Sequence, residues 1–111
     1  MLNISGNNIE LTRGDTAYID FVPVNADGSE YVIASGDHAY FRLQGDSVIT
    51  IPCIAEVGSA FVTLALQQSN TVGLDYKAYP YEVEIVTASN EHFTFITGGF
   101  FTVTLEIEEH N

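Results

Sequence analysis

Phe101-Thr-Val-Thr-Leu-Glu-Ile-Glu108 alternates without a break. Phe101, Val103, Leu105 and Ile107 point to one side; Thr102, Thr104, Glu106 and Glu108 point to the other. A period of two is what a β-strand with one wet face requires. The same pattern runs back through most of the chain. His38–Gln44 sets Ala39, Phe41 and Leu43 inward, and Ala60–Leu66 does so with Val62, Leu64 and Leu66. Tyr79–Val86 turns Tyr81, Val83 and Ile85 inward and Glu82 and Glu84 outward. Shorter strands are predicted over Ile9–Thr12, Thr16–Val22 (Ile19 and Phe21 inward), Glu30–Ile33, Val48–Ile54 and His92–Ile96. Turn residues separate them, and Asn25-Ala-Asp-Gly28 is the clearest, because Asp-Gly tolerates the positive φ of hairpin turns. Pro23 lacks an N–H and should end its strand or lie on an edge. The stretch from Gln67 to Tyr76 is irregular, with a helical turn expected over Ser69–Gly73 capped by Ser69. Seven to nine strands and no long helix predict an all-β protein, closed or in two sheets, since an open sheet would leave an apolar face wet.

The 111 residues suit one domain. A hydrophobic content of 46%, including 7 Phe and 6 Tyr, is enough for a core without covalent staples. Cys53 is the only cysteine, so an internal disulfide and a cysteine-cluster zinc site are excluded. A lone thiol fits a reducing compartment or a particle assembled inside a cell. No apolar run reaches the ~18 residues of a membrane span. The opening residues 1–8 have neither a cationic segment nor an apolar stretch, so export is not expected.

Fifteen acidic residues face three cations, Arg13, Arg42 and Lys77, for a formal net charge of −12. Nucleic-acid affinity depends on Lys and Arg contacts to phosphate, so neither nucleic acid nor an anionic membrane is an expected partner. The acids are scattered, as solubility alone would require.

The chemistry-bearing residues do not assemble into a known catalytic pattern. His38, His92 and His110 share no ligand spacing, so no metal is expected. Asn25–Glu30 has some acidic-loop character but lacks the ligand spacing of a calcium loop, and a hairpin turn explains it better. There is no G-x-S-x-G elbow, and Cys53 lies in an apolar strand as a small packing residue. Glu82 and Glu84 stand about 7 Å apart along a strand, a spacing glycosidases use, but read as a solvated strand face. Arg13-Gly-Asp15 is explained by a turn. Neither a catalytic residue nor a cofactor is expected, and the chain does not read as an enzyme. Tyr76, Lys77 and Tyr79 form a possible contact surface for a protein or a sugar, but packing of Tyr76 and Tyr79 with the long loop against the sheet is the favoured role.

Several segments taken together resemble one family. They are Leu11-Thr-Arg-Gly-Asp-Thr16, Leu64–Thr71, Val72–Tyr79, Pro80–Ile85 and Gly98-Gly-Phe-Phe-Thr-Val103. Their order is similar to the N-terminal immunoglobulin-like domain of phage upper baseplate proteins and of related phage and prophage structural proteins. Lys77-Ala78 departs from the usual glycine-containing turn, and Asn70 from the usual acid. The resemblance implies an immunoglobulin-like antiparallel β-sandwich of seven to nine strands. It also implies a structural virion protein of the tail or baseplate, assembled in the bacterial cytoplasm. Such a protein would dock on other tail proteins and repeat as a homo-oligomer. Upper baseplate proteins continue past this domain, so a chain of this length is expected to be a short accessory component or one domain of a larger protein. A carbohydrate-binding or adhesion module is the other expectation.

Overall fold

The computed structural model describes residues 2–105. Eight strands are joined in one continuous order, β1-β2-β8-β7-β4-β5-β6-β3. They are β1 (Leu2–Ser5), β2 (Asn8–Thr12), β3 (Ala17–Phe21), β4 (His38–Gln44), β5 (Val48–Ala55), β6 (Val62–Leu66), β7 (Ala78–Val86) and β8 (His92–Thr104). The single helix among the described residues, α1, is one turn over Gln68–Thr71. The chain is therefore all-β, with a strand count inside the expected range.

With β1 set aside, β2 to β8 occupy the places of strands A to G in an immunoglobulin-type sandwich. β3 pairs with β6 as B does with E, and β4, β7 and β8 run together as C, F and G. Two pairings differ. β5 lies along β4 through Val48–Cys53 and reaches β6 only through Ile54 and Ala55, so it bridges the two layers. β2 pairs with β8, and this pair is parallel where an all-antiparallel sandwich was expected. A parallel pair needs a long crossover connection, and here nearly the whole sandwich supplies it.

One core fills the space between the layers. Phe41 of β4 stacks on Phe21 of β3 with ring centroids 6.1 Å apart, lies 5.1 Å from Tyr81 of β7, and meets Phe101 of β8 edge-on at 5.7 Å. Antibody domains place a disulfide between strands B and F against a tryptophan on strand C. Phe21, Tyr81 and Phe41 take that inter-layer role here without covalent chemistry.

Inward alternation predicted for β4, β6 and β7 is observed: Ala39, Phe41, Leu43, Val62, Leu64, Leu66, Tyr81, Val83 and Ile85 are buried. The predicted strand over Glu30–Ile33 does not form. A lone bridge joins Val24 to Glu30, and Ile33 instead bonds through its backbone to Gly58 and Ser59. The Asp27-Gly28 turn is present, with Gly28 at φ +86° and the Asp27 carboxylate accepting from the Ser29 N–H and hydroxyl. β1 was not predicted; it folds back on β2 through Gly6 and Asn7. β8 is continuous through Gly98 and Gly99, where a break was expected. Gly99 is required by close approach: a Cβ there would lie 2.3 Å from the Asn7 carbonyl oxygen and 2.8 Å from the Tyr81 ring. Helix α1 is capped by Gln67 rather than Ser69. Leu105, expected inside, lies beyond the end of β8 and is 62% exposed. The alternation read over Glu106–Glu108 lies outside the described residues, as does His110.

Candidate functional site

Tyr76, Lys77 and Tyr79 enter β7 from the irregular loop. Tyr79 is buried, with 4% of its surface exposed. Its hydroxyl accepts from the Asp75 N–H at 2.9 Å and donates to the Asp75 carbonyl at 3.1 Å. A tyrosine at the start of strand F that bonds the backbone a few residues upstream is the tyrosine corner of immunoglobulin-type sandwiches. Tyr79 is thus withdrawn from the possible contact surface: it fastens the loop to the sheet. Burial of this position follows from its alternation with Tyr81 and Val83.

The other two residues are also engaged. The Arg13 guanidinium lies 4.4 Å over the half-exposed Tyr76 ring, and Lys77 Nζ lies 5.1 Å from the centre of the Tyr79 ring. Both rings have a cation on one face, the arrangement aromatic faces favour electrostatically. Arg13-Gly-Asp15 belongs to the same assembly. The Gly14 N–H, at φ +89°, donates to the buried Thr71 hydroxyl at 2.8 Å, which ties the turn to α1. Tyr76 and Lys77 therefore remain at the surface as parts of a fastened loop, without an open aromatic platform.

Sequence reasoning missed two clusters. Glu84, expected on a wet strand face, is buried. Its carboxylate accepts from Arg42 Nη1 on β4 and, at 3.2 Å, from the Nδ1–H of His92 on β8. Glu82 stands 3.9 Å from the same guanidinium. Burial pushes the Glu84 carboxyl up, but the bonds and charges of Arg42 and His92 outweigh that and hold it below its usual range. A carboxylate kept ionised by a cation bridge cannot deliver a proton as a glycosidase acid does. Partly buried Tyr31 and buried Asp37 make a second pair. The Tyr31 hydroxyl donates to Asp37 Oδ2 at 2.6 Å, and this bond, with burial, raises the phenol to about 12. The Ala34 N–H donates to the same oxygen, closing the Ser35-Gly-Asp37 turn. Cys53 is half-buried against the core, and burial pushes its thiol up to about 12, far from a reactive thiolate. Among the described residues, no group of three His, Cys, Asp or Glu side chains is placed to hold a metal ion.

The other missed feature is the outer face of β3 and β6. Tyr18 is 71% exposed, Val22 60%, Ile54 53% and Phe61 43%. Tyr18 and Val22 flank Asp20 along the chain, and the Asp20 Oδ1 accepts from the Thr63 hydroxyl at 2.7 Å. The signal was present: Tyr18 and Val22 hold the wet positions of a strand whose dry positions, Ile19 and Phe21, are also apolar.

No protein-family model matches the chain, and no curated protein and no solved structure matches it.

Proposed function

We propose that this chain is a non-enzymatic structural domain of a phage or prophage tail or baseplate, working through contacts with other virion proteins. The observation that carries the reading is the placement of the ionisable groups. Those drawn out of water, Glu84 and Asp37, hold strands and turns together, while Tyr18 and Val22 stay exposed beside the edge strand β3. Exposed apolar surface gathered on one face marks an interaction site more often than a catalytic one. The motif order from Leu11 to Val103 supplies the virion context. In this reading the protein is assembled in the bacterial cytoplasm and repeats around the tail axis, and neither a cofactor nor a nucleic acid takes part.

Mass spectrometry of purified particles tests the proposal, together with pairwise binding between this chain and tail proteins encoded at the same locus. Stoichiometric presence in the particle and one saturable partner are expected. Absence from particles, with no binding to any of those proteins, overturns it.

A further inference from the structure

The two strands at the ends of the sheet, β1 and β3, each have one side without a strand partner among the described residues. They face each other across a cavity of about 180 Å³. Ile4 and Ile9 line it from the β1–β2 hairpin and residues 19–22 from β3 and just past its end, so the wall mixes apolar side chains with Asn7 and Asp20. The seam thus offers the unpaired side of β3, a partly apolar socket beside Ile19 and Phe21, and Asp20 between Tyr18 and Val22.

We infer that the β3 edge is a docking strand for an extended segment of another protein, which places an apolar side chain in the socket and a lysine or arginine opposite Asp20. Strand addition to an open edge takes its affinity from main-chain hydrogen bonds and its specificity from alternate side chains. Buried Ile19 and Phe21 alternate with exposed Asp20 along β3, so alternate residues of a single added strand meet the apolar part of the socket and the carboxylate.

Charge selects the occupant. Asp20 has only the Thr63 hydroxyl as partner among the described residues, and a carboxylate can accept several more bonds. A second copy of this chain is a poor match. Its three cations are engaged at Tyr76, Glu84 and Tyr79, and a two-fold β3–β3 pair would bring two Asp20 carboxylates onto one strip between chains of net charge −12. A basic strand removes that repulsion and covers the apolar surround.

This inference names the kind of partner the tail reading requires, and it is tested separately from that reading. The probe is a terminally blocked peptide alternating valine and threonine with a central lysine, against the same peptide with a central glutamate. Amide chemical shifts of the ¹⁵N-labelled protein are followed at low salt. The lysine peptide should move the β3 amides from Ala17 to Phe21 and bind about fivefold more tightly than the glutamate peptide. In the D20K variant the preference should invert, with the fold retained in the shift pattern elsewhere. No movement of the β3 amides, equal binding of both peptides, or a concentration-dependent dimer in sedimentation that D20K abolishes would each overturn it. A positive peptide result stands even if the protein is missing from particles, and a negative one leaves the particle experiment free to succeed.

Discussion

The β4–β7–β8 wall and the β3–β6 face handle a strand-borne carboxylate in opposite ways. On the first, Glu84 lies opposite Tyr40 and Thr94 and is bonded by Arg42 and His92, so it is buried and satisfied. On the second, Asp20 lies opposite Thr63 in an apolar surround and keeps one neutral partner. Both acids occupy outward positions of alternating strands. What separates them is the neighbouring strand: β7 is central and flanked by β4, which carries Arg42, and β8, which carries His92, whereas β3 ends the sheet. A central position converts an outward acid into part of the fold, and an edge position leaves it available to another molecule.

The comparison presupposes one cooperative core behind both walls. Phe41 touches Phe21 behind β3 and Tyr81 and Phe101 behind the opposite wall. Phe41→Ala should cost about 3–5 kcal/mol in denaturant unfolding, with fluorescence and far-ultraviolet dichroism falling together. Separate transitions for the two probes would break the comparison at its base.

The carboxylates themselves come next. Glu84→Gln should destabilise by roughly 1–3 kcal/mol near neutral pH, because Arg42 loses its charged partner. The folded Glu84 carboxyl lies below its ordinary value of 4.5, so its contribution is complete above that value and is lost as pH falls through the folded pKa. The stability gap between wild type and variant should therefore narrow on titration from about pH 5 to about pH 3. A gap that widens would reverse the assignment.

Tyr79→Phe sharpens the contrast between fastened and free surface. Losing both bonds to the Asp75 backbone should cost about 1 kcal/mol and speed amide exchange through Leu74–Lys77, read by hydrogen exchange. Asp20→Asn should change stability least, within about 0.5 kcal/mol. A loss as large as that of Glu84→Gln would mean that Asp20 belongs to the fold after all.

Alternation made β4, β6 and β7 legible, because each has clean apolar positions on one side and turn residues at its ends. It named the face of Glu84 correctly but not its burial, which depends on Arg42 and His92 arriving from other strands. Glu30–Ile33 has strand-forming residues, yet its backbone is taken by the Gly58–Ser59 turn, a long-range choice with no local mark. Clustering of Tyr76, Tyr79 and Tyr81 beside Pro80 leaves a contact surface open, while the parity of Tyr79 with Tyr81 points inward, and the structure takes the packing role. The β3 face went unnoticed because its apolar members come from three strands whose adjacency only the topology supplies.

The parallel joining of β2 to β8 also governs when the protein can finish folding. The Phe100 N–H donates to the Asn8 side chain across 92 positions of sequence, and Ile9 lies level with Phe101. A chain emerging from the ribosome can form the β4–β5 hairpin early, but β2 must wait for its neighbour until β8 has been made. Until then Ile9 and Leu11, fully buried in the finished domain, have only the β1 strand beside them. It is β8 that brings the β1–β2 hairpin into the sheet.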